Sequence, residues 1–267
     1  MRLQPLALLA TLAACRPAPA EVPPPAPAPA AAAPVPSDSP VDIAAIVADP
    51  ARPQTERDLD AGRKPAELLA FLDLKPGMKA ADIGAGLGYT TFLLARAVGP
   101  GGRVYAQNPR FVRERFTEPG FTERMATPAF ANVVRVDQEF DQPLPADVHD
   151  LDLVINFLFY HDTYWMKIDN AAMNRAIFAA LRPGGAYVIV DHSAVAGAGS
   201  TGAQTLHRVE ESVVRAEVEA AGFRLAASAE FLRNPADPRD WNASPRAAAE
   251  AGKRGQADRF ILKFVKP

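Results

Sequence analysis

Three glycines at alternate positions, Gly84, Gly86 and Gly88, follow Asp82-Ile83 and precede an apolar stretch that opens with Tyr89. Without a Cβ, glycine lets the backbone approach a ligand closely and take left-handed conformations that other residues resist. Where such a loop feeds a helix, the free amides of the first turn point into the gap and suit a nucleotide-like ligand. A tight strand-to-helix turn with no ligand uses the same residues, so the flanking elements must decide. The dinucleotide fingerprint wants its third glycine one position later, where Tyr89 stands, and this disfavours a nicotinamide dinucleotide.

A second group able to do chemistry lies further along: Tyr160-His161-Asp162, Asp191-His192 and His207, which together hold three of the four histidines. A histidine near its neutral pKa can take the proton of a hydroxyl nucleophile. Imidazole and carboxylate also suit several divalent ions, but separation along the chain tests no such site. The plainer alternative is that both pairs brace the turns that follow strands. Tyr160, Tyr164 and Trp165 would wall a substrate pocket or, equally, fill core. Arg208, Glu210 and Glu211 read as a solvated helix face.

The elements that must position these groups alternate between strand and helix. Apolar spacing predicts two helices between Val41 and Leu74, separated by Pro50 and Pro53, and then a strand over Lys79 to Ile83. The glycine loop and a helix over Tyr89 to Val98 follow, stopped at Gly99-Pro100-Gly101-Gly102. Further strands are expected over Arg103 to Gln107, Asn132 to Val136, Leu151 to Asn156 and Ala186 to Val190, the last two separated by a helix from Asn170 to Leu181. A helix from about Val209 to Ala221, strands over Phe223 to Leu232 and Arg259 to Val265, and a Pro-rich excursion over 233 to 257 complete the chain. This alternation implies an α/β, Rossmann-like, doubly wound and mostly parallel seven-stranded sheet with an antiparallel last strand, which binds ligands beyond the carboxyl ends of its strands.

With those elements in place, the sequence resembles the class I S-adenosylmethionine-dependent methyltransferases, whose first motif is an acidic residue followed by alternating glycines, as Asp82 to Gly88 reads. Lys75-Pro76-Gly77, Gly101-Gly102-Arg103-Val104-Tyr105, Asp152-Leu153-Val154 and Leu181-Arg182-Pro183-Gly184-Gly185 extend the likeness over nearly the whole domain. It looks most like a group of bacterial methyltransferases with Tyr-His-Asp after the fourth strand and Asp-His after the fifth. The resemblance implies S-adenosylmethionine as cofactor, with Asp82, Gly84, Ala85, Gly86 and Gly88 cradling its methionine part. It implies Asp137 or Gln138 at the adenine amino group, and Asn156 and Phe157 at the methyl-donor end. Where most of the family has an acid for the ribose hydroxyls, this chain has Asn108, which accepts a hydrogen bond without the charge that makes such bonds about twice as strong. The expected catalytic residues are His161, Asp162 and His192, although methyl transfer from a sulfonium asks chiefly for alignment. No resident metal is expected.

The remaining features concern location and partners. Leu3 to Ala14 is apolar, too short to span a bilayer, and ends at Leu12-Ala13-Ala14-Cys15, which resembles a lipobox; Cys15 is the only cysteine of the 267 residues. A signal peptide over 1–14, lipid on Cys15, and a Pro/Ala-rich linker to residue 40 are therefore expected, leaving 41–267 as the folded domain. The expected site of action is the bacterial cell envelope, facing the periplasm; Arg16 after the cysteine resembles lipoproteins sorted to the outer membrane. A net charge of −2 without a long basic run argues against nucleic acid, and the expected substrate is small or envelope-associated. The competing readings are a non-catalytic domain that holds a nucleoside-like ligand or a partner, and a nicotinamide-dependent oxidoreductase, which Tyr89 and Asn108 disfavour.

Overall fold

Residues 40–267 are described by a computed structural model. The signal stretch, Cys15 and the linker up to residue 39 lie outside the described residues. Strands β1 (Lys79–Ile83), β2 (Arg103–Gln107), β3 (Val133–Val136), β4 (Leu151–Phe157), β5 (Leu181–His192), β6 (Arg224–Ala229) and β7 (Arg259–Val265) form one sheet in the order β3-β2-β1-β4-β5-β7-β6. β1 to β5 pair in parallel, and β7 runs antiparallel to both β5 and β6. The expected Rossmann-like α/β class, with its antiparallel last strand, is the one observed.

Alternation along the strands produces two apolar faces. Leu153 and Ile155 of β4 pack with Val188 and Val190 of β5 against Phe92, Leu93 and the N-terminal leucines Leu68 and Leu69. Val154, Tyr187 and Ile189 point the other way, to Met173, Ile177, Val214 and Val218. Both faces must be covered for a parallel sheet to persist in water, which is the role of the helices Tyr89–Val98, Asn170–Ala180 and Glu211–Ala220. Asp169 caps the second of these through the amide of Ala172, at 2.8 Å.

The strand register decides where ligands can meet. Ile83 pairs with Gln107 on one side and Asn156 on the other, Gln107 with Val136, and Asn156 with Ile189. One row thus crosses the sheet at the carboxyl ends of five strands, with the reversal of strand order between β1 and β4, the point where ligands bind in such sheets.

Three expectations are corrected. Four short helices, Ile43–Ala48, Gln54–Arg57, Asp60–Arg63 and Pro65–Leu72, precede β1 instead of two. The additional ones are held by tertiary contacts that local spacing does not encode: Arg52 binds the Asp60 carboxylate at 2.8 and 2.5 Å, and Arg259 of β7 donates to the Gly62 carbonyl at 2.5 Å. β5 begins at Leu181, five residues before the expected start, because Leu181 pairs with Leu151 and the intervening turn is looped out as an irregularity in the ladder. A Cβ at Gly185 would sit 2.9 Å from the Leu151 carbonyl oxygen, so this close approach requires glycine. Arg208 is buried, not solvated; it binds Asp237 at 2.8 Å and lies over the Trp241 ring. A further helix, Pro245–Glu250, lies inside the Pro-rich excursion.

Candidate functional site

Gly84, Gly86 and Gly88 all have positive φ, +72°, +60° and +87°, so the alternation of glycines is a backbone requirement. The loop is clamped from β2. The Gly84 amide donates to Gln107 Oε1 at 3.0 Å and the Ala85 amide to the Gln107 carbonyl at 2.9 Å. Asn108 completes the clamp: its Oδ1 accepts from the Gly86 amide and its Nδ2 donates to the Gly86 carbonyl, both at 2.9 Å. The Gly88 amide donates to the Ala85 carbonyl at 2.9 Å. Four loop amides are therefore already engaged, a poor cradle for a pyrophosphate, which relies on free N–H groups.

What the loop leaves open is space. A Cβ added at Gly86 would meet nothing within 4 Å, whereas one at Gly84 would run into the Phe159 ring at 2.8 Å. Asp82, under the loop, is buried and accepts from Thr91 Oγ1 at 2.7 Å. Burial raises its pKa to about 6, against the opposing pull of Thr91 and Arg63. Asn156, in register with Ile83, is fully buried, and among the described residues neither polar atom of its carboxamide has a partner. Each such atom costs about 1–3 kcal/mol, so a polar ligand reaching the end of β4 would relieve it.

The other expected cofactor contacts lie on the neighbouring rim. Asp137 is exposed and bound by Arg135 at 2.8 Å, with Arg113 at 3.4 Å. Gln138 accepts from Gln107 Nε2 through its carbonyl, at 2.6 Å. Arg63 is a residue the spacing of motifs does not announce. Its guanidinium lies 4.4 Å from the Tyr89 ring centroid and 5.5 Å from that of Phe157, and burial lowers its pKa against the pull of nearby Asp82, Asp60 and Glu56.

The histidines and acids meet at the ends of β4 and β5. Asp191 is fully buried; its Oδ1 takes His161 Nδ1 at 2.6 Å and the His192 amide at 2.7 Å, and its Oδ2 takes the His161 amide at 2.7 Å. On the far side of the ring, His161 Nε2 stands 3.1 Å from His207 Nδ1 and 3.3 Å from Asp162 Oδ1. Trp165 Nε1 donates to the same Asp162 oxygen at 2.6 Å. Burial disfavours charge on His161, but the Asp191 and Asp162 carboxylates outweigh it and hold the imidazolium well above the ordinary histidine range. For Asp162 burial works upward and is overcome by His161, which keeps it ionised. His192 is pushed well below the usual range by burial and then by Arg259, and its Nδ1 faces the His207 carbonyl at 3.2 Å. His161, Asp162, His192 and His207 are thus brought together, with Asp191 as their buried anchor. A histidine whose proton is held by two carboxylates is a weak general base; its geometry suits it to orient a bound group.

The segment that follows β5 is pinned at several points. The Gly199 amide donates to Glu210 Oε2, and the Glu210 amide to the Gly199 carbonyl, both at 2.9 Å. Residues Ala203–Leu206 form a helical turn that delivers His207 in a left-handed conformation, φ 51°.

Comparison with known proteins bears on the first half of this site. The family described as protein-L-isoaspartate(D-aspartate) O-methyltransferase matches residues 47–109, from the first helix through the glycine loop to the end of β2. A protein-L-isoaspartate O-methyltransferase of Aeropyrum pernix is 44% identical over 59 residues, 20% of this chain and 23% of that protein. The chain thus matches only about a quarter of that relative's length. Among solved structures, an S-adenosylmethionine-dependent methyltransferase from Aquifex aeolicus aligns over 81% of this chain and 99% of its own, with a TM-score of 0.56 at 17% identity. One from Mesorhizobium loti covers 78% and 99%, with a TM-score of 0.52 at 18% identity. Likeness at that identity concerns the fold, whereas the segment match concerns the motif. The chain has the class I S-adenosylmethionine-dependent methyltransferase fold, and the match around its first motif supports that family and S-adenosylmethionine as the cofactor.

Proposed function

We propose that this protein transfers a methyl group from S-adenosylmethionine to an oxygen of a small or envelope-associated acceptor. The observation that carries the reading is the positive-φ glycine loop at the β1/β4 reversal, with its amides engaged internally, open space over Gly86 and the unpartnered Asn156 beside it. That is a seat for a ligand bound by shape and a few polar contacts, without phosphates. In this reading Asp82 and the loop hold the amino-acid part of the cofactor, and Asn156 and Phe157 face its reactive end. Asp137 and Gln138 border the adenine, and Asn108 holds the loop in shape. When bound, the cofactor supplies an electrophilic methyl on a sulfonium.

His161, Asp162 and His192 stand on the acceptor side, where they orient the acceptor. Because the Asp191 and Asp162 carboxylates hold the His161 proton, His161 is no ready base, and an acceptor oxygen that arrives ionised needs none. Such an oxygen would accept the methyl directly, with the sulfur of the bound cofactor as leaving group, and no proton would need a base. A carboxylate meets that requirement, as does an acidic hydroxyl. A lipid anchor on Cys15, holding the domain on an envelope membrane, belongs to the same proposal; an N-terminal peptide without acyl mass would remove it.

The test is calorimetric titration of the full chain with S-adenosylmethionine and with NAD, repeated on Gly86→Val. Saturable binding of the first alone, lost in the variant, supports the reading, and methyl turnover is then sought on carboxylate and hydroxyl acceptors, isoaspartyl peptides included. No binding at about 1 mM, equivalent to less than about 4 kcal/mol, defeats it. The engagement of Asn108 with Gly86 also favours a second reading, a ligand-holding domain without catalysis, and binding without turnover on any acceptor selects it.

A further inference from the structure

We propose that His161 Nε2, His207 Nδ1 and Asp162 Oδ1 form a binding site for a divalent transition-metal ion, with Asp191 as its orienting carboxylate. The three atoms make a nearly equilateral triangle, with sides of 3.1, 3.2 and 3.3 Å. Three ligands on one face of a metal, with bonds of about 2.0–2.2 Å and angles between octahedral and tetrahedral, stand about 2.8–3.6 Å apart. The triangle already has that spacing, so an ion that displaces the His161 Nε2 proton and sits about 1 Å above the plane would be at bonding distance from all three.

The surroundings match what metal-bound histidines need. A ligating imidazole uses its other nitrogen to donate to a carboxylate, which fixes both tautomer and ring orientation. His161 does so to Asp191, at 2.6 Å, and Asp191 is itself fixed by the His161 and His192 amides, each at 2.7 Å. His192 Nδ1 lies 3.2 Å from the His207 carbonyl and steadies the backbone that carries the third ligand. Asp162 Oδ1 already accepts from Trp165 Nε1, which leaves it one lone pair for an ion.

The neighbouring combination of His161, Asp191 and His192 is not free to take an ion. There the Asp191 oxygens are already taken by three N–H groups, and both rings face protein partners.

The triad is closed behind and open in front. The His161 side chain is 3% exposed, Asp162 14% and His207 23%, so an ion would keep positions for water or an acceptor oxygen. Two imidazoles and one carboxylate with vacant positions suit zinc, iron(II), cobalt(II) or manganese(II) better than calcium or magnesium. A cation here would also remove a conflict of sign, since an ionised acceptor otherwise faces the Asp162 and Asp191 carboxylates.

The experiment is Co2+ titration of the tag-free, chelator-treated full chain, followed by visible absorption, with Zn2+ calorimetry in parallel. One ion per chain at low micromolar affinity or better is expected. His207→Ala and Asp162→Asn should weaken it about 100-fold, Asp191→Asn about 10–100-fold, and His149→Ala, an exposed histidine away from the site, not at all. Circular dichroism checks each variant's fold. Because a substitution within the triad such as Asp162→Asn could unfold the chain, proton NMR of the wild type provides a second reading, in which Co2+ should shift or broaden the His161 and His207 ring signals and spare His149. Absence of stoichiometric binding by about 1 mM ion, binding that survives His207→Ala, or paramagnetic effects only at His149 would overturn the site. The result does not depend on methyl transfer, since the readout is the ion alone.

Discussion

The two halves of the strand-end row are built differently. At β1 and β2 the site is backbone and neutral amide: glycines with positive φ, clamped by Gln107 and Asn108, with one buried acid, Asp82, beneath. From β4 to β5 it is ionisable side chains, with Asp191 bonded to His161 and His161, Asp162 and His207 grouped around one another. The first half offers shape and the second offers charge. A cofactor of constant structure can be held by a rigid hollow that few substitutions tolerate, whereas an acceptor must be met by groups that can exchange protons, ions or water. The clamp uses residues within one βαβ unit; the charged half draws on positions 46 residues apart, His161 and His207, that only the assembled sheet brings together.

The comparison breaks most decisively at Asp191. Asp191→Ala leaves His161 and His192 donors buried without an acceptor, and removing one partner of a buried ion pair costs about 3–5 kcal/mol. Urea unfolding should show a loss of that size, and a loss under 1 kcal/mol would mean that the charged half does not hold the β4 and β5 ends together.

A sharper contrast comes from pH at Asp82. Its folded pKa, about 6, lies above the unfolded value, so the folded state binds the proton more tightly. The stability this contributes is complete below about pH 4 and disappears as pH rises through about 6. Over that window the unfolding free energy should fall by something on the order of 2–3 kcal/mol, and Asp82→Asn should flatten that part of the curve. The ionised form should attract a cationic cofactor, so S-adenosylmethionine affinity should rise across the same window in the wild type and not in Asp82→Asn. A flat wild-type profile would contradict a buried acid beneath the loop.

The smallest effect is expected at Asn108. Asn108→Ala frees the Gly86 amide and carbonyl and removes two neutral hydrogen bonds, worth about 1–2 kcal/mol together. Cofactor affinity should fall with it, because the loop loses its clamp. If stability is unchanged while affinity collapses, Asn108 touches the ligand itself.

Much of the cofactor half was legible in the residues. The bounds of β1, β2, β7 and the helix Tyr89–Val98 agree with the expected ones; glycines mark the end of β1, both ends of the helix and the start of β2. The glycine loop is contiguous, so its chemistry could be named from composition and order. Gln107-Asn108 was visible only as a missing acid; its role as a clamp depends on β2 lying beside β1 in register. Arg63 was not legible at all, since no local pattern announces a cation stacked on Tyr89 and Phe157. The buried Arg208 was misread because alternation along a helix cannot anticipate Asp237, 29 residues away.

Sequence alone determined the alternation of strand and helix, the backbone conformations that only glycine adopts, and the presence of histidine and aspartate at strand ends. These are local properties, decided by side-chain shape and φ/ψ preference within a few residues. Tertiary structure alone decided that Asn108 faces Gly86, that Asn156 is left unpartnered, and that His161, Asp162 and His207 converge to about 3 Å around an anchor on the adjacent strand. Those facts follow from strand order and register, which arise from burying two apolar faces at once, a balance summed over the whole chain that no short stretch of it contains.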